Sequence, residues 1–144
     1  MRKVSDILGR KGASAVAVAP DTKVIEALNI MAEKNIGSLL VMDGGEYLGI
    51  ITERDYSRKI ALRHKSSVDT KVSEIMTTNL PAVNPSDSVE YCMQLMSDKN
   101  IRYLPVFEKN LLAGIVSMSD VVKETILQQK ETIGHLESYI HSGL

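Results

Sequence analysis

Two short segments place the same chemistry in the same order. Gly49-Ile50-Ile51-Thr52-Glu53-Arg54-Asp55 and Gly114-Ile115-Val116-Ser117-Met118-Ser119-Asp120 each run an apolar stretch into a hydroxyl residue, with a carboxylate three positions on. Where a strand feeds a helix in this way, the first helical N–H groups lack an intrahelical partner and the helix dipole favours negative charge. A phosphate fits there. The Thr52 or Ser117 hydroxyl adds a hydrogen bond, and Asp55 or Asp120, one turn in, could accept from both hydroxyls of a ribose. The same spacing also describes a capping box, in which hydroxyl and carboxylate satisfy the helix's own N–H groups. Repetition does not separate the two readings, because a duplicated cap repeats too. The cations near the motifs differ: Arg54 lies inside the first, where the second has Ser119, and Arg102 precedes the second half's strand, where the first half has Gly37.

The elements that must position these residues are themselves duplicated. A shift of 65 maps Pro20 onto Pro85, Val24 onto Val89, Met31 onto Met96, Lys34-Asn35-Ile36 onto Lys99-Asn100-Ile101, Gly49-Ile50 onto Gly114-Ile115 and Asp55 onto Asp120 without a gap. Val4-Ser5-Asp6-Ile7-Leu8 resembles Val72-Ser73-Glu74-Ile75-Met76 at a shift of 68. Each half reads β-α-β-β-α. Residues 15–18 and 82–83 are expected as short strands. Residues 24–35 and 89–100 are expected as helices with apolar positions at i, i+3, i+4 and i+7, and N-cap types stand before them at Asp21-Thr22 and Ser86-Asp87. Residues 38–42 with 47–51, and 103–107 with 112–116, read as hairpins turning at 43–45 and 108–110. A second helix begins after Thr52 or Ser117. This divides the chain into repeat 1 (1–63), a charged, serine-rich linker (64–71), repeat 2 (72–124) and a C-terminal helical extension (125–144). At about 60 residues neither half should be stable alone, so the two are expected to share a core.

These paired motifs, the Ile101-Arg102-Tyr103-Leu104-Pro105-Val106 strand and the repeat length resemble a tandem pair of cystathionine-β-synthase (CBS) domains, a Bateman module, over residues 1–124 or so. Gly49 to Lys59, with Gly-Ile-Ile-Thr-Glu-Arg-Asp-Tyr and a following Arg-Lys, is similar to small stand-alone CBS-pair proteins of plant organelles and bacteria. The resemblance implies a mixed α/β (α+β) fold in which two repeats pack as a pseudo-twofold pair, followed by the helical tail. It implies an adenosine ligand (AMP, ADP, ATP, NAD(H) or S-adenosylmethionine) in the cleft between repeats, with Thr52 and Ser117 on phosphate and Asp55 and Asp120 on ribose. Arg54, Arg102 and Ser119 would stand nearby. Ile36, Ile101 and the segments 13–16 and 79–82, with Val16, Leu80 and Pro81 among them, would wall the adenine. AMP or NAD(H) is the expected ligand, read by a non-catalytic energy or redox-state sensor. The alternative is an interaction protein, for example a regulator of a thioredoxin-like partner, whose binding ignores nucleotide. Family members also form flat homodimers.

Composition agrees with this in what it excludes. The 144 residues carry a net charge of −1 and a pI of about 6.3, so there is no basic nucleic-acid footprint. No run of about 20 apolar residues suggests a membrane span. The polar first ten residues lack a secretory apolar region, and a cytoplasmic protein is expected. With no Trp and one Phe, aliphatic side chains must line any base pocket. Cys92 alone forms no internal disulfide and reads as a small core residue. His64, His135 and His141 lack metal-ligand spacing, there is no dinucleotide-binding or P-loop glycine pattern, and no nucleophile–base pair supports an enzyme. In the tail, Val122, Ile126, Ile133, Leu136 and Ile140 recur at spacings of 4, 7, 3 and 4, a heptad seam with Gln129 at its polar position. It is expected to pack on a second copy of the chain or back on its own module.

Overall fold

A computed structural model describes residues 1–12 and 15–142. The chain forms two compact units, one of residues 15–79 and one of residues 1–14 with 80–144. These units cut across the sequence repeats, because the segment that leads each repeat belongs to the unit built by the other.

In the 15–79 unit, β1 (Ala17–Val18) runs parallel to β2 (Ser38–Asp43), and β2 pairs antiparallel with β3 (Glu46–Thr52). Helix α2 (Val24–Lys34) buries Val24, Ala27 and Met31 against Leu39, Val41 and Ile51. It ends at Asn35 in the left-handed conformation, φ 52°, a C-cap geometry that asparagine tolerates. Helix α3 (Glu53–Tyr56) follows β3 directly and widens into a π-helical turn at Ser57–Ala61. Val72 and Ile75, which open the second repeat, complete this core at 0% and 3% exposure.

The other unit repeats the plan. Helix α4 (Val89–Lys99) buries Val89, Cys92 and Met96 against the antiparallel pair β4 (Tyr103–Glu108) and β5 (Leu111–Ser117). Its leading segment is α1 (Val4–Lys11), whose Val4 and Ile7 fill the places that Val72 and Ile75 fill in the first unit. The docking bonds correspond. Val4 N–H donates to the Asp87 carbonyl and Ser5 N–H to that of Pro85, while Val72 and Ser73 donate to Thr22 and Pro20. Those pairs follow the shifts of 68 and 65 seen in the sequence.

Four expectations change. Residues 82–83 form no strand: Val83 makes a single parallel bridge to Val106, since the turn bonds at Asn84 begin at once. The N-caps are Lys23 and Ser88; Asp87 instead accepts from Asn84 N–H at 2.8 Å. The expected linker 64–71 is part of its unit, because the Ser67 and Thr70 carbonyls accept from the first N–H groups of α2 at Ile25 and Val24. Finally, α1 stands where no helix was expected.

The tail is continuous with the helix after Ser117. Helix α5 (Met118–Ser142) has 25 residues, roughly 38 Å at 1.5 Å per residue. Val121 and Glu124 are buried, but Val122, Ile126, Ile133, Leu136 and Ile140 are 45–61% exposed.

Candidate functional site

Both motifs fold as strand-to-helix junctions. Thr52 is extended (φ −126°, ψ 163°) and caps α3: its hydroxyl accepts from Asp55 N–H at 3.1 Å, and Asp55 Oδ2 accepts from Thr52 N–H at 3.0 Å. Ser117 and Asp120 do the same at the start of α5, at 3.1 and 2.9 Å. The capping-box geometry is thus present at both junctions. The first helical N–H of each is also used, by the Gly37 carbonyl at Glu53 and by the Arg102 carbonyl at Met118. An anion held by the whole helix end, as the motif alone suggested, would have to displace these bonds.

The two carboxylates differ in what else they hold. Asp55, 5% exposed, has Thr52 N–H and Thr52 Oγ1 on Oδ2, and Thr77 Oγ1 and Lys59 Nζ, each at 2.9 Å, on Oδ1. Lys59 lies one turn on and also donates to the Ile75 carbonyl at 2.7 Å. Four donors around two oxygens saturate this carboxylate. Asp120 is less enclosed. Among the described residues its side-chain hydrogen bonds converge on Oδ2, from Ser117 N–H and from Lys11 Nζ at 2.8 Å. Lys11, the last residue of α1, also donates to the Ile115 carbonyl at 3.0 Å. Burial pushes the Asp120 carboxyl up, but the hydrogen bonds from Lys11 and Ser117 and the lysine's charge outweigh it and leave it below the usual aspartate value.

Close packing explains the glycine that opens each motif. A Cβ on Gly49 would lie 2.7 Å from the Thr77 carbonyl oxygen, and one on Gly114 would lie 2.9 Å from Leu8 Cδ2. The leading segment of the other repeat crosses the strand at both places.

The remaining candidates fall as follows. In the 15–79 unit, Arg54 is half-buried, and Val16 and Ile36 pack on the core beside β2. In the other unit, Arg102 and Ser119 are exposed, Ile101 packs on the core, and Leu80 and Pro81 are half-buried. Of the 13–16 segment, residues 13 and 14 lie outside the described residues. Cys92 is fully buried, and burial, with the nearby Asp87 charge, pushes its thiol up to about 11. The described residues contain no cluster of His, Cys, Asp or Glu fit for a metal, and no described helix is long and apolar enough to cross a membrane.

Sequence reasoning missed both lysines. Lys59 was visible in principle, four residues after Asp55, a spacing that puts the two on one helical face. Lys11 was not, because it lies in the leading segment of the first repeat yet serves the motif of the second.

A duplicated α-β-β-α unit with a hydroxyl–carboxylate junction in each copy defines a tandem-repeat module, and the chain belongs to the CBS domain family, whose model matches it at residues 4–62 and 72–126. It is similar to the CBS domain-containing protein CBSX3, mitochondrial, of Arabidopsis thaliana, with 40% identity covering 97% of this chain and 72% of the relative. Among solved structures it resembles the CBS domain NE2398, at 42% identity, with a TM-score of 0.82 and coverage of 87% and 98% of the two chains. It also resembles the CBS domain pair of protein MJ0100 in complex with 5′-methylthioadenosine and S-adenosyl-L-methionine, at 27% identity, with a TM-score of 0.76 and coverage of 89% and 98%.

Proposed function

We propose that this chain is a non-catalytic regulatory module that binds an adenine nucleotide, AMP or NAD(H), at the Ser117–Asp120 junction and passes its occupancy to a partner. The observation that carries this reading is the state of Asp120: a half-buried carboxylate whose bonds, among the described residues, gather on Oδ2, with Oδ1 offered to a ribose hydroxyl. Asp55, with four donors, is read as a structural clamp, so one nucleotide per chain is expected. The adenosine ligands of the MJ0100 pair support the ligand class. Scarce aromatics favour an aliphatic adenine pocket, with Ile101, Leu80 and Pro81 as its candidates in this unit. Calorimetric titration with AMP, ADP, ATP, NAD, NADH and S-adenosylmethionine tests this. A saturable heat near one site per chain for AMP or a nicotinamide dinucleotide is expected; silence from all six, with no melting shift, overturns it.

The second element of the reading is a homodimer through α5. Its seam residues are exposed over a length that suits a two-helix contact, and a free helix of this kind is marginal in water. Sedimentation should show a dimer that Ile133→Glu with Leu136→Glu converts to monomer. A wild-type monomer at all concentrations would leave the seam to a different protein partner, as the nucleotide-independent interaction reading requires.

A further inference from the structure

The Lys11–Asp120 pair sets the terms on which any ligand can enter. We propose that Lys11 makes this site select phosphorylated ligands: at rest its ammonium holds Asp120, and a bound nucleotide takes the carboxylate while the ammonium passes to its phosphate. This rests on the reading that Asp120 receives a nucleotide ribose.

The argument is one of exchange. A ribose diol that approaches Asp120 must compete with an ammonium 2.8 Å from Oδ2. Two neutral hydroxyls can replace its hydrogen bond but not its charge, and hydrogen bonds to charged groups are the stronger ones. An unphosphorylated nucleoside therefore breaks an ion pair and returns nothing to the lysine. A nucleotide carries its own anion, and the displaced ammonium regains a charged partner.

Geometry allows the transfer. Lys11 is at the C-terminal end of α1, followed by Gly12 at φ 84°. Its side chain is 35% exposed, so it can move without opening the core. Helix α1 does not depend on it. Val4 and Ile7 are buried, Arg10 bonds the buried Glu124, and Arg2 bonds Glu131. Lysine suits this role, since a compact ammonium on a flexible stem can change partners. Lys59, the matching cation on Asp55, bonds a backbone carbonyl as Lys11 does, but it shares its carboxylate oxygen with Thr77, and Thr52 holds the other oxygen, so its departure would leave no oxygen of Asp55 open to a ribose.

The test compares AMP with adenosine in the full chain, by calorimetry on wild type, Lys11→Met, Lys11→Gln and Lys11→Arg, with melting curves confirming the fold of each. Wild type should prefer AMP. Lys11→Met and Lys11→Gln should bind adenosine better and AMP worse, narrowing the preference by about tenfold or more, and Lys11→Arg should retain most of it. A lysine that only braces α1 would shift both affinities together, so an unchanged AMP-to-adenosine ratio in the neutral variants overturns the proposal while leaving the nucleotide reading intact. If wild type binds neither ligand, this inference falls, and if the other five adenosine ligands are silent as well the nucleotide reading falls with it.

Discussion

At the scale of single residues, charge placement separates two motifs that the sequence presents as equals. Asp55 and Asp120 hold corresponding positions, yet one is clamped by four donors and the other leans on a movable lysine. The lowered Asp120 value has a pH consequence. Its folded pKa lies below the ordinary value of about 3.9, so the stability it contributes is present above that value and is lost as pH falls through the folded one. Lys11→Met removes the leading favourable interaction. Urea unfolding between pH 2 and 5 should then show a shallower acid loss in Lys11→Met than in wild type. At neutral pH the difference should stay within about 1 kcal/mol, because a partly exposed pair is screened by solvent. Cys92 gives a second prediction. A fully buried thiol raised to about 11 should resist alkylation at pH 8 in the native protein and react at once in denaturant; native labelling at a free-thiol rate would show that α4 opens readily.

At the scale of elements, the hairpins and helices were legible because their signals are local. Alternation, turn residues and the i, i+3, i+4, i+7 face placed α2, α4 and both hairpins within a residue or two. What could not be read locally was α1 and the loss of a strand at 82–83, since both depend on which distant segment packs there. The turns carry a quiet asymmetry. Gly44 and Gly45 have φ of 57° and 85°, and the second hairpin asks the same of Lys109 and Asn110, at 52° and 64°. Left-handed geometry costs a lysine roughly 1 kcal/mol or more, so Lys109→Gly should raise stability by about 1 kcal/mol in chemical denaturation; a loss would mean that the lysine side chain holds the turn. The motif glycines should respond unequally to alanine. In Gly49→Ala the new Cβ meets a backbone carbonyl of the 72–79 segment, while in Gly114→Ala it meets the end of the Leu8 side chain, which can turn aside. Gly49→Ala should cost about 2–3 kcal/mol and Gly114→Ala about half of that, and the reverse order would place the rigid approach in the other unit.

At the scale of the whole molecule, the two repeats exchange their leading segments, and this is the feature a linear reading of the duplication could not supply. The shift changes from 65 to 68 just where the chain passes from one unit to the other, so the indel was visible but its meaning was not. The exchange gives the prediction that was first argued from size a sharper form. Residues 72–144 alone lack Val4 and Ile7, two fully buried members of their core, and loss of such side chains costs about 2–5 kcal/mol each. This fragment should be unfolded by circular dichroism, and a peptide of residues 1–12 should restore structure; autonomous folding of the fragment would show that α1 is dispensable. The candidate site was legible in its motif and not in its charge partners. The hydroxyl–carboxylate motif was plain in the sequence, and the lysine that distinguishes its two copies arrives through the exchange. The central claim is that Asp120, in its charged form, receives a nucleotide, and it is tested most directly by titrating AMP into wild type and Asp120→Asn. Asparagine keeps an oxygen for the Ser117 N–H and so preserves the cap. The account predicts about one site per chain in wild type and affinity at least about tenfold weaker in Asp120→Asn, with the fold intact by melting. Equal AMP affinity in the two proteins would contradict it and leave the motif as a helix cap.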